Sequence, residues 1–371
     1  MAQLNLLFLI PNRAFGGLEI QTVKRASDAM QKGYQVLLVA KENTRVEQYA
    51  KELDLNVITL DFRYRYIDKG AITLGRIMKK QRIDFCVVPK TDYLSYAILG
   101  RNIFSNKTRI IFYQQLESAF PKKDIFHNWI YRNVDSVITL TNVMKHDLPK
   151  YTSIDGNKIE VIPYGIDTEL YNPKNFSKQE CREKFSLPEG KILFGLPGRI
   201  TDSKGQDVAM RAFAKANIPD SCLVFCGDGS SSNYFTELMG IADSMGIREK
   251  IIQLPFTKEM HLFMNAMDIS LLPSKREAFG LVVIEAMASG MPILATNAGG
   301  VPEIISHTNN GLLFEPFDDD ALAKYMVLLA NDIGLREKLG KQARLDAIER
   351  YDYSKQTKKF FDYLIGINKK N

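Results

Sequence analysis

Only four cysteines, four histidines and one tryptophan occur among 371 residues. Cys86, Cys181, Cys222 and Cys226 are scattered along the chain. So few in so long a chain exclude a disulfide framework and point to a reducing, cytoplasmic setting. His127, His146, His261 and His307 show no metal-ligand spacing. No apolar run approaches the roughly 18 residues that a membrane-spanning helix needs. The early run 6–10 is short, lacks a basic leader and runs into Pro11, so it reads as a first strand and not as a signal peptide. Neither the GxGxxG dinucleotide fingerprint nor the GxxxxGK[ST] phosphate loop is present.

What is present is ordinary globular material, with 45% apolar and 25% charged residues. That balance excludes disorder, collagen and coiled coil as the main architecture. At roughly 100–200 residues per domain the length allows two or three domains. The net charge of +6 is uneven. Residues 1–165 hold 24 Lys/Arg against 16 Asp/Glu, or +8, and the remainder holds 25 against 27, or −2. A basic first half suits an anionic partner or, equally, a lysine-rich solvated surface.

Short runs of Val, Ile and Leu recur between helical patterns at 4–10, 35–40, 56–60, 85–88, 109–112 and 136–140. Unbroken apolar runs of this length predict strands of a parallel sheet covered on both faces. Between the first two, Ile20, Val23, Ala26 and Met30 have helical spacing and stop before Gly33. The pattern restarts at 191–195 and continues through 222–226, 251–254, 269–272, 292–295 and 311–314. The fold class is therefore α/β, with two doubly wound, Rossmann-like halves and a cleft between them as the expected ligand site. The Pro- and Gly-bearing stretch after Val161 predicts the linker, placing the domains at 1–168 and 169–352. Phe360, Phe361, Leu364 and Ile367 predict a final helix over 353–371 that packs back on the first domain.

Four loops carry candidate chemistry. Gly16-Gly17 lies between the first strand and first helix, where free helix N–H groups can meet a phosphate. Gly198-Arg199, followed by Lys204-Gly205, sets two cations at the end of a strand. Arg can grip phosphate oxygens bidentately and Lys adds a point charge. The third runs from Glu277 through Phe279, Gly280 and Leu281 to Glu285. A helix beginning near Leu281 offers its first N–H groups to a diphosphate. Glu285 lies four residues on, so it shares the Leu281 face and leans back toward the helix start. An acid beside phosphate is unfavourable, so both glutamates should meet hydroxyls. The fourth loop, Gly299-Gly300-Val301-Pro302-Glu303, is a tight turn into a short helix.

Taken in order, Glu277-x7-Glu285, Gly299 to Glu303, Gly198-Arg199, Lys204-Gly205, Gly165-Ile166-Asp167 and Gly16-Gly17 resemble the family 4 retaining glycosyltransferases of the GT-B fold. The resemblance covers nearly the whole chain and is most specific in the second half. It implies an acceptor-binding first domain, a donor-binding second domain and a catalytic set of Glu277, Arg199 and Lys204. Arg199 and Lys204 would neutralise the donor diphosphate, with Gly16 and Gly17 approaching it from the other domain. Phe279, Gly280 and Leu281 would offer backbone N–H groups, Glu277 would hold sugar hydroxyls and Glu285 the ribose. A UDP-sugar is the implied co-substrate, with no metal and no further cofactor, in agreement with the lack of a convincing Asp-x-Asp site. The implied acceptor is a saccharide or glycolipid of cell-envelope or lipopolysaccharide synthesis.

One departure is visible. Many members carry a His at a strand end of the first domain, whereas this stretch reads Phe112-Tyr113-Gln114-Gln115-Leu116-Glu117. Gln115 takes that place and cannot act as a base. Glu117 is the other acceptor-side candidate, and the leaving phosphate would then take the acceptor proton. Arg63, Arg65, Lys69, Arg76, Lys79, Lys80 and Arg82 also cluster with Tyr64, Tyr66, Ile72, Leu74, Ile77 and Met78. This stretch suits either a solvated surface helix or peripheral contact with the inner face of an anionic membrane. The alternatives are a GT-B epimerase or phosphorylase, an NAD-linked oxidoreductase and a glycosidase using the two glutamates. No motif supports nucleic-acid binding.

Overall fold

The computed structural model describes residues 4–62, 69–104, 107–117, 120–229 and 232–369. The chain forms two compact units, Met1–Tyr164 with Thr357–Asn371, and Gly165–Gln356.

The first unit holds β1 (Asn5–Ile10), β2 (Gln35–Ala40), β3 (Val57–Thr59), β4 (Phe85–Val88), β5 (Arg109–Tyr113), β6 (Ser136–Thr139) and β7 (Ile159–Val161). They form one parallel sheet in the order β3-β2-β1-β4-β5-β6-β7. β4 and β6 are buried at every position, as strands covered on both faces must be. The edge strand β7 has no counterpart in the sequence pattern. It is three residues long and interrupted by Glu160, too short to show a period. In the core, Leu7, Leu9, Val88, Ile110 and Val137 meet helix residues such as Leu74, Ala97 and Leu148.

The second unit holds β8 (Ile192–Pro197), β9 (Ser221–Cys226), β10 (Ile251–Leu254), β11 (Ile269–Leu272), β12 (Ile293–Thr296) and β13 (Leu312–Phe314). Its parallel sheet runs β10-β9-β8-β11-β12-β13. β8 extends two residues beyond the predicted end, to Pro197. β11 pairs with β8 only at Phe194 and Gly195, so the missing proline N–H breaks no bond on that side. Phe194, Phe213, Phe225, Leu271 and Met326 are central to its core.

Residues 165–168 belong to the second unit. The Ile166 N–H donates to the Tyr351 carbonyl at 2.8 Å, and the Tyr353 N–H returns to the Ile166 carbonyl at 2.9 Å. The last helix, Tyr353–Lys369, starts in the second unit and enters the first at Thr357. There Phe360 lies 5.7 Å from Tyr113 and beneath the Arg25 guanidinium, while Phe361 lies 5.5 Å from Tyr34. All four cysteines are buried and unpaired with one another. Burial pushes the thiols of Cys86 and Cys226 up to about 12, which keeps them protonated and unreactive.

Candidate donor site in the second unit

In an open parallel sheet the order reverses at one place, and ligands bind at the carboxyl ends of the strands there. In the second unit that place lies between β8 and β11, which are adjacent in the sheet although a long stretch of chain separates them in sequence.

 The 71 intervening residues, 198–268, form β9, β10 and their helices and return the chain to the other side of β8. The loops that leave β8 and β11 therefore meet.

Close backbone approach joins them. Gly205 has φ +71°, and a Cβ there would lie 2.0 Å from the Pro273 carbonyl oxygen, so both conformation and space require glycine. The Lys275 N–H donates to the Ser203 carbonyl at 3.0 Å. Lys204 closes the single turn Asp202–Lys204, and its Nζ lies 2.7 Å from Glu277 Oε2. The loop after β12 joins through the Gly300 N–H, which donates to the Glu277 carbonyl at 3.0 Å. Arg199 is exposed and makes no side-chain hydrogen bond or ion pair among the described residues, which leaves its guanidinium available to an anion.

The helix Leu281–Ala288 starts from Gly280, at φ +97°, and no side chain caps it. A Cβ on Gly280 would also press on Val283 at 3.2 Å. An uncapped N-terminus carries N–H groups and a partial positive charge suited to an anion. Val283, Ile284, Ala286, Met287 and Ala288 are buried, whereas Leu281, Val282 and Glu285 are half-buried. Leu281 and Glu285 thus share the less buried face, as their spacing predicts. Glu285 accepts a hydrogen bond from the Tyr171 hydroxyl at 3.1 Å. Phe279 is buried against Tyr351, with ring centres 6.0 Å apart. The short helix in the fourth loop, expected over 302–306, is Val301–Ile304, one residue earlier at its start and two at its end.

The first unit reverses between β1 and β4. Gly16 caps the helix Gly17–Gln31 with extended backbone, at φ −167°, so no left-handed turn demands glycine there. Beside it Glu19, 4% exposed, pairs with Lys90 at 3.2 Å and accepts from the Asn12 amide. Nothing in the sequence pattern pointed to the pairings of Glu19, Lys90 or Tyr171. Gln115 is buried, and both ends of its amide are engaged within the unit. Its Nε2 donates to Thr22 Oγ1 at 2.8 Å and its Oε1 accepts from the Tyr164 hydroxyl. The nominated acceptor residue is therefore a tie between the first helix, the β5 end and the segment after β7. Glu117 is half-buried two residues on.

The basic stretch falls partly outside the described residues, where Arg63, Tyr64, Arg65 and Tyr66 lie. Its remainder forms the helix Lys69–Lys80. Leu74 and Met78 are buried, and Gly75 packs so tightly on Gly100 that a Cβ would lie 2.5 Å from the Gly100 carbonyl oxygen. Arg76, Lys79, Lys80 and Arg82 remain exposed. Leu74 and Met78 face the unit's own core, and the outward row is charged apart from the exposed Ile72. Among the described residues no helix is long and apolar enough to cross a membrane, and no group of three His, Cys, Asp or Glu could hold a metal ion.

Residues 177–346 match the model for glycosyl transferases group 1, and residues 15–170 match that for glycosyltransferase family 4. The chain belongs to the family 4, group 1 glycosyltransferases. It is 31% identical over 219 residues to a D-inositol 3-phosphate glycosyltransferase of Corynebacterium glutamicum, covering 57% of this chain and 52% of that protein. The chain spans about half the length of the curated relatives it matches. A glycosyltransferase structure from Rickettsia africae superposes with TM-score 0.89 at 22% identity over 100% of both chains. The Anabaena protein Alr3699/HepE, in complex with UDP and glucose, superposes with TM-score 0.84 at 20% identity, covering 98% of this chain and 99% of that one. These likenesses show the GT-B fold.

Proposed function

We propose that the protein is a metal-independent, retaining glycosyltransferase that moves a sugar from a UDP-sugar to a saccharide or glycolipid acceptor in cell-envelope or lipopolysaccharide synthesis. One observation carries this reading: the segments that follow the adjacent strands β8 and β11 bear Arg199, the Lys204–Glu277 pair, the uncapped helix start at Gly280 and Glu285. The UDP and glucose of the Anabaena neighbour support the choice of donor.

In this reading the diphosphate lies at the N-terminus of Leu281–Ala288, with Arg199 and Lys204 on its oxygens. Fixed positive charge then stabilises the negative charge that builds as the glycosidic bond to phosphate breaks. Glu277 bonds the sugar hydroxyls and also anchors Lys204, so one residue sets the spacing between sugar and diphosphate. Glu285 accepts from the ribose hydroxyls. The acceptor hydroxyl attacks from the face the diphosphate leaves, and that phosphate takes its proton. Acceptor binding belongs to the first unit. Placement is cytoplasmic, with Arg76, Lys79 and Lys80 giving peripheral, electrostatic contact with anionic lipid.

The test is a calorimetric and thermal-shift panel of UDP-sugars, GDP-mannose and NAD, followed by product analysis with EDTA present. A ligand of the native state raises its stability. The expected result is a shift with a UDP-sugar that Glu285→Ala abolishes, and product with the donor's anomeric configuration. A shift with NAD alone would replace the reading with an oxidoreductase.

A further inference from the structure

We infer that Tyr171 is a positioning residue of the donor site, its hydroxyl holding the Glu285 carboxylate in place for the ribose hydroxyls of a nucleoside diphosphate. The inference rests on the donor-site reading proposed above.

Tyr171 is 6% exposed, and its hydroxyl donates to Glu285 Oε1 at 3.1 Å across 114 positions of sequence. The segment that presents it is firmly built. Asp167 Oδ1 accepts from the N–H groups of Glu169 at 3.1 Å and Leu170 at 2.9 Å. The Tyr171 N–H then closes on the Asp167 carbonyl at 3.1 Å. An aspartate that satisfies two backbone donors in this way locks a turn. Arg344 ties this turn to the helix that carries Glu285. One of its terminal nitrogens donates to the Thr168 carbonyl at 3.2 Å and also to the carbonyl of Ala288, the last residue of that helix. The Tyr171 ring packs edge-on against His261, with centres 6.0 Å apart.

Each end of the Tyr171–Glu285 bond therefore sits on a segment fixed by other contacts. Burial, and secondarily the Glu285 charge, pushes the Tyr171 phenol well above its ordinary range, so it remains a donor. A free glutamate side chain samples several rotamers, and ordering it upon ligand binding opposes affinity. A hydrogen bond to a carboxylate is charge-assisted and directional, so the bond present before binding reduces that loss.

The experiment measures UDP affinity by calorimetry in the wild type, Tyr171→Phe, Glu285→Ala and the double variant, with 2′,3′-dideoxy-UDP as the second probe. Tyr171→Phe keeps the ring and removes one oxygen. It is expected to weaken UDP about threefold to tenfold, the effect of one hydrogen bond. It should leave the dideoxy probe unchanged and add nothing in the Glu285→Ala background. An equal loss on both probes, a loss that persists without Glu285, or no loss at all would overturn the inference while leaving Glu285 as the ribose residue. If Glu285→Ala binds UDP as the wild type does, or the wild type binds none, the donor-site reading itself fails.

Discussion

The two sheets reverse their order in the same way, yet their switch points are built differently. In the second unit glycine is enforced by the backbone, since Gly205 and Gly280 both have positive φ and Gly205 touches the neighbouring loop. The helix start there has no cap and no carboxylate in its first turn. In the first unit Gly16 is extended, and a Cβ would find its nearest contact at 3.8 Å, on Glu19. The first turn of that helix already holds Glu19, neutralised by Lys90. A carboxylate in the first turn offsets the positive helix end that would attract an anion. Of the two helix starts, only that of the second unit is free of a carboxylate in its first turn, the arrangement that suits an anion.

The comparison is broken most severely at its glycines. Gly205→Ala forces a Cβ against the Pro273 carbonyl in a left-handed conformation, and is expected to destabilise by about 3 kcal/mol or more in chemical denaturation. Gly16→Ala should change stability by less than about 1 kcal/mol, because its backbone suits any residue. A large loss at Gly16 would erase the distinction.

Lys204→Ala removes a cation from the second switch point. Turnover should fall roughly 100-fold, the scale of losing one electrostatic stabiliser of the transition state. Steady-state kinetics with saturating donor would read this as a fall in kcat. A change confined to KM would mean that Lys204 only binds.

Glu19→Gln tests the first unit. Removing one partner of a buried pair is costly, but Lys90 is partly solvated, so about 1–2 kcal/mol is expected. Donor affinity should hold or rise slightly as the carboxylate leaves the helix start, and calorimetry distinguishes that from a loss.

The smallest effect is on pH dependence. Burial, reinforced by Lys184 and opposed by Glu259, lowers the pKa of His261 below its ordinary value of 6.5. The unfolded chain therefore binds the proton more readily than the folded one. The stability that follows is complete above pH 6.5 and is lost as the pH falls through 6.5 toward the folded pKa. Urea titrations from pH 7.5 down to 5.5 should show a slope that His261→Gln flattens.

Much of this was legible in the residues alone. Unbroken runs such as 85–88 and 269–272 have no room for a helix and no polar face, so they announce buried parallel strands. Glycine and proline mark the loops because few residues tolerate the turns required, and the four-residue step from Leu281 to Glu285 sets their common face. These are local properties, reaching only as far as a strand or a helical turn.

The pairings were not legible. Lys204 meets Glu277, Tyr171 meets Glu285, Glu19 meets Lys90, and Gln115 bridges Thr22 and Tyr164. Each joins residues brought close by strand order or by the turns of the linker segment, and no period in the sequence encodes that order. The sequence by itself determined two α/β halves, their loops and the family. Only the tertiary structure decided which charges are satisfied, because that depends on which strand ends become neighbours when each sheet reverses.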